Sequence, residues 1–127
     1  MRQIGQAVII ATKCIHAKGM SPKDAWDFAI AQVSGSLSVQ TKSCPRNAFL
    51  GLCEAGAVVG IKPGKYGAPR NNKNGRYALN ALGILQASPM ACHDKQELWA
   101  KATAPQHLLE NQQMDVVLAL WEHKLLR

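Results

Sequence analysis

The sequence predicts an all-α protein, a compact bundle of about six helices with a long basic Gly/Pro/Asn loop between the third and fourth. Three observations predict it. Apolar residues recur at steps of three and four in six segments. Those segments begin and end at Ser, Asn, Asp, Pro and Gly, residues that cap or break helices. No good pair of strands is found, only a short stretch, Leu37 to Val39, that is open to a strand.

The first helix is expected from about Gln3 to Ala17, where Ile4, Val8, Ala11 and Ile15 share one face. Lys18 and Gly19 supply its stop, a cation near the carbonyl end followed by a residue that tolerates a left-handed turn. The second begins with Ser21 as cap, Pro22 in the first helical position and Asp24 in the first turn. Its stripe is Trp26, Ala29, Ile30 and Val33, and Ser34 to Ser43 reads as a polar loop. The third starts at Pro45 behind Ser43 or Cys44, carries Ala48, Phe49, Leu52, Cys53, Ala55 and Val59, and closes at Gly60. Gly51 and Gly56 each lower helix propensity by roughly 1 kcal/mol against alanine, which makes sense only where another helix packs close to this backbone.

Residues 61–74 contain two prolines, two glycines and three asparagines, which forbid regular structure. A loop of this length is often functional. The fourth helix is expected from about Gly75 to Gln86, capped by Asn72 or Asn74 and ended by Ser88 and Pro89. The fifth runs from Asp94 to Thr103, with Asp94 and Glu97 at capping-box spacing. After Pro105 the sixth spans roughly Leu108 to Leu126, the strongest periodic signal in the chain. The core is expected around Trp26, Phe49, Leu52, Leu82, Leu85, Leu118 and Trp121. With 127 residues, no internal repeat and no linker, residues 1–127 read as a single helical domain.

Composition narrows the function classes. An apolar fraction of 47% with 18% charged residues fits a folded chain and not a disordered one. No apolar run is long enough to cross a bilayer, and the faintly signal-like Ile4 to Ala11 is broken by Gly5 and Gln6 with no cleavage site after it. The expectation is a cytoplasmic protein whose four cysteines, Cys14, Cys44, Cys53 and Cys92, are reduced.

Charge provides the main functional lead. The net charge is +7, and it is unevenly placed. Between Asp27 and Asp94 the only acid is Glu54, while the same stretch carries Lys42, Arg46, Lys62, Lys65, Arg70, Lys73 and Arg76. Lys62, Lys65, Arg70, Lys73 and Arg76 fall within fifteen residues, Gly64 and Gly67 allow close backbone approach, and Tyr66 can stack on a base. The loop feeds a helix N-terminus, where the dipole favours an anion. This is the equipment of a small binding protein for nucleic acid or a phosphorylated ligand. The alternative is a solvated basic loop without a partner, since its spacing matches neither the P-loop nor the dinucleotide fingerprint.

Louder readings fail. A helix-turn-helix unit joins its helices by three or four residues, and this gap is far longer. Cys44 at a helix start has the setting of an activated thiol, but no base among His16, His93, His107 and His123 is brought near it by sequence. Cys14 with His16 and Cys92 with His93 are too tightly spaced for a structural zinc knuckle. The acid pairs Asp24 with Asp27 and Glu110 with Asp115 are not a general acid–base arrangement, and there is no nucleophile elbow. No cofactor, metal or catalytic residue is expected. A second reading is a protein–protein interaction module. Leu118, Leu120, Leu125 and Leu126 exceed one narrow stripe, so the last helix is either deeply buried or paired in a homodimer.

Two stretches carry a resemblance. Cys44-Pro45-Arg46-Asn47-Ala48-Phe49-Leu50-Gly51-Leu52-Cys53-Glu54 and Asn111-Gln112-Gln113-Met114-Asp115-Val116-Val117-Leu118-Ala119-Leu120-Trp121 are similar to a group of small uncharacterised bacterial proteins of about this length, a domain of unknown function. The resemblance spans most of the chain and implies a stand-alone bacterial protein. It implies no activity, cofactor or catalytic residue.

Overall fold

The computed structural model describes residues 2–127, with side chains from residue 3 onward. Six helices of nine residues or more make the bundle: α1 (Arg2–Lys18), α2 (Pro22–Val33), α4 (Ser43–Glu54), α5 (Lys73–Ala87), α6 (Lys95–Thr103) and α7 (Gln113–Glu122). A single helical turn, α3 (Leu37–Gln40), and a 3-10 turn, Pro89–His93, fill two connections. No named strand occurs among the described residues; Leu37 to Val39, open to a strand in the sequence, is helical. Polar Ser36, Ser38 and Thr41 explain the switch, because the Thr41 hydroxyl and backbone N–H both donate to the Leu37 carbonyl.

Local chemistry sets most boundaries as expected. The Ser21 hydroxyl accepts from the Asp24 N–H, the Asn72 amide oxygen from Gly75, and the Asp94 carboxylate from Glu97. Gly19, with φ +68°, ends α1. In α4, by contrast, neither Ser43 nor Cys44 is the cap: the helix begins at Ser43 behind Lys42, without a side-chain cap.

Two helix ends depart from expectation for one shared reason. Helix α4 stops at Glu54, well before Gly60, and α7 stops at Glu122, before Leu125 and Leu126. Each ends in a paired-carbonyl turn with a left-handed residue after the cap. At α4 that residue is Gly56, φ +73°, and Ala57 N–H donates to Leu52 while Gly56 N–H donates to Cys53. At α7 it is Lys124, φ +58°, and Leu125 N–H donates to Leu120 while Lys124 N–H donates to Trp121. The two released tails then lie side by side. Val58 and Leu126 form an antiparallel bridge, Val59 N–H donates to the Leu125 carbonyl, and Arg127 N–H donates to the Ala57 carbonyl. Continued apolar periodicity in both segments came from extended residues packed on the core, with Val58 fully buried and Leu125 and Leu126 partly so.

Helix α7 also starts later than Leu108. The Trp99 indole N–H donates to the Leu108 carbonyl at 2.7 Å, and Gln112 stands at φ +74°, so residues 108–112 are held outside the helix. The core gathers Ile4, Val8, Trp26, Ile30, Phe49, Leu52, Leu85, Leu98, Met114 and Leu120, with the Trp26 and Phe49 rings 5.7 Å apart. Leu118 and Trp121, expected at its centre, are only partly buried against it; Met114, Val116, Val117 and Leu120 are the fully buried apolar part of α7. Trp99 takes a core place instead.

Gly51 answers the question raised by its low helix propensity. A methyl group there would lie 2.5 Å from the Gly75 Cα, because α4 and α5 touch backbone to backbone. Gly51→Ala should therefore lower unfolding free energy by about 2 kcal/mol through overpacking. Gly83, helical and open on all sides, is the control: Gly83→Ala should raise it by about 0.5–1 kcal/mol. Urea denaturation of the two variants checks both signs; a neutral Gly51→Ala would contradict the close crossing.

Candidate functional site

The loop between α4 and α5 runs from residue 55 to residue 72, because α4 ends early and α5 begins at Lys73. Lys73 and Arg76 consequently stand on the first turn of α5, while Lys62, Lys65 and Arg70 stand on the loop.

The loop is built around Glu54. One carboxylate oxygen, Oε2, accepts from the Tyr66 N–H at 2.7 Å and from the Ala68 N–H at 3.1 Å. The Glu54 carbonyl accepts from Gly64 N–H at 3.1 Å. The Tyr66 hydroxyl donates to the Lys62 carbonyl and lies against Gly64. Pro63 packs on Gly56 so closely that a methyl group there would sit 2.8 Å from its ring, and Gly67 turns the chain at φ +94°. At the far end the Asn72 amide N–H donates to the Asn47 carbonyl at 2.9 Å while its oxygen caps α5. These bonds tie the loop to α4 at its middle and to α4 and α5 at its far end.

These bonds change the parts assigned from sequence. Tyr66 is partly buried and its hydroxyl is engaged inside the loop, so it works there as a staple. The first turn of α5 already has its Gly75 N–H satisfied by Asn72, which leaves the helix dipole but not that donor. Gly64 and Gly67 let the loop fold on itself: Tyr66 covers the first, and the Lys23 side chain lies against the second.

The cations remain outward. Lys62, Lys65, Arg70, Lys73 and Arg76 are all exposed, and among the described residues none forms an ion pair. Arg76 is oriented by a hydrogen bond to the Asn71 side chain at 2.8 Å. Arg46, counted with them in sequence, is paired with Asp27 at 3.1 Å. The lone acid of the region, Glu54, is half-buried beneath the loop. Two further basic groups were missed. Lys23 of α2 touches Gly67, and His16 of α1 donates from Nε2 to the Val59 carbonyl at 2.7 Å, beside Gly60. Both are more than forty positions from their neighbours in the loop, and no local pattern signals such contacts.

Other candidates are not assembled. Cys44 is half-buried, and its sulfur accepts from the Asn111 amide at 3.5 Å, with no histidine bonded to it. All four cysteines are free thiols. Burial, aided by the Glu54 charge, pushes the Cys53 thiol well above its ordinary range, so it stays protonated and inert. Among the described residues no group of three His, Cys, Asp or Glu is placed to hold a metal. No described helix is long and apolar enough to cross a membrane.

The chain belongs to the Family of unknown function (DUF6979), whose model matches residues 1–127. No curated protein and no solved structure matches it.

The Glu54 carboxylate carries a local test. In Glu54→Ala the amides of Tyr66 and Ala68 should lose hydrogen-exchange protection, while α1 and α2 keep theirs. Retained protection at both amides would show that the loop is held by something else. Cys53 should resist alkylation until global unfolding exposes it, checked by mass spectrometry across a urea series.

Proposed function

We propose that this family member binds nucleic acid through the surface formed by the basic loop and the first turn of α5. One observation carries the reading: five cations stand exposed and, among the described residues, without ion pairs, while Glu54, the one acid in the chain between Asp27 and Asp94, is bonded to the loop's own amides. Exposed ion pairs elsewhere on the molecule, such as Lys101 with Glu97 at 2.9 Å, indicate what these cations lack. Lys23 extends the basic surface from α2. Small-molecule sites are concave with a few convergent polar groups. Side chains spread over an exposed loop and a helix turn suit an extended polyanion better than a single phosphate.

Phosphate contacts release counterions, so affinity should fall steeply with salt. Five contacts give a logarithmic slope of about −4.5 with duplex DNA, or roughly 500-fold weaker binding between 50 and 200 mM salt, and about −3.5 with a single strand, or roughly 130-fold. Fluorescence anisotropy of labelled single-stranded and duplex oligonucleotides measures this directly. Arg70→Glu with Lys73→Glu should abolish binding, and unchanged affinity in that double variant would exclude the loop. A protein that binds neither oligonucleotide at low salt is not a nucleic-acid binder.

A second reading is a homodimer that uses α7. The leucines that suggested it are largely engaged inside the chain, with Leu120 buried and Leu125 and Leu126 packed on the core. What favours the idea is an apolar groove of about 570 Å³ between α1 and α7, walled by Ile9, Ile10 and Ala119. An apolar dimer persists at high salt, unlike a phosphate contact. Sedimentation at 0.5 M salt decides it: a mass of one chain retires the dimer.

A further inference from the structure

A cleft of about 360 Å³ opens beside the basic surface, and Lys73 stands in its wall. Its volume is in the range of small-ligand sites. Tyr77 of α5 forms one side. Its ring meets Trp99 edge to face at 84°, centroids 5.4 Å apart, and its hydroxyl donates to the Gln106 side-chain oxygen at 3.1 Å. Ring and amide are therefore fixed in place. On the rim, Leu109 is 93% exposed and Leu108 42% exposed, an unusual position for two adjacent leucines. Asn74 and Gln106 also border the cleft, and in each only the amide oxygen is bonded within the chain. Both –NH₂ groups are left without a partner among the described residues.

We infer that this cleft receives one unpaired base of a single-stranded nucleic acid, with its phosphate against Lys73. A flipped or unstacked base requires aromatic or apolar surfaces for its faces and hydrogen-bonding groups at its edge. Tyr77, Leu108 and Leu109 supply the first requirement, and the amide donors of Asn74 and Gln106, which line the cleft, match the second by pairing with a base carbonyl or ring nitrogen. A duplex keeps its bases stacked and paired, so it can use the cations and not the cleft. The inference rests on the phosphate-contact reading above and adds to it a preference for strand state.

The test separates bases from phosphates. Anisotropy is measured at 50 mM salt with oligothymidylate, an abasic oligomer of equal length carrying the same phosphates, and a duplex. Stacking and edge contacts at one base should make oligothymidylate bind about tenfold more tightly than the abasic oligomer. Leu109→Ala with Gln106→Ala should collapse that difference and leave abasic binding and its salt slope as in the wild type. Both residues are exposed, so the fold should survive, and an unchanged thermal melt confirms it. Equal wild-type affinity for oligothymidylate and abasic oligomer overturns the cleft while leaving the phosphate surface standing. Full discrimination retained in the double variant overturns it equally. Failure to bind any of the three removes the parent reading and the cleft together.

Discussion

Two glycines, Gly51 and Gly75, let α4 and α5 meet backbone to backbone, and the arrangement around the loop depends on that contact. With the two helices pressed together, the exit of one and the entry of the other are close in space. The residues between them then fold as a compact excursion instead of crossing the molecule. Asn72 uses the same proximity: it donates to Asn47 on α4 while capping α5, and joins the two helices where they touch. A side chain larger than hydrogen at either position would separate the helices and loosen that joint.

Polar bonds then complete what the crossing begins. A carboxylate that accepts backbone N–H groups forms charge-assisted bonds stronger than neutral ones. Glu54 makes two of them, and its carbonyl makes a third bond to the loop. Beneath it, the bridge between Val58 and Leu126 ties the loop's first residues to the end of α7. The basic surface is thus set on α4, α5 and the C-terminal tail together.

Much of the fold was legible because it is local. Ser21, Asn72 and Asp94 act as caps within three residues of their partners, and Gly19 stops α1 by its own conformational freedom. What was not legible depends on contacts remote in sequence. Nothing in Leu108 to Gln112 announces that Trp99 will take the Leu108 carbonyl. Lys124 adopts a left-handed conformation with no glycine to signal it, and Val58 is apolar for a bridge and not for a helix face. The candidate site divides the same way. Its cations could be counted along the chain, and so could the isolation of Glu54 among them. The task of that acid, the engagement of Tyr66 and the arrival of Lys23 and His16 are properties of the folded surface alone.

The inward carboxylate has a further consequence, in the thermodynamics of encounter. A flexible basic segment must be ordered when it meets a partner, and that ordering entropy weakens binding and gives a large negative heat-capacity change. Here much of the loop backbone is already bonded at folding, by a carboxylate of the protein that accepts from the loop's own amides. A polyanion bound as proposed at such a surface would meet side chains that need only reorient. Association would then be close to rigid-body docking, governed by long-range attraction and small in its calorimetric signature.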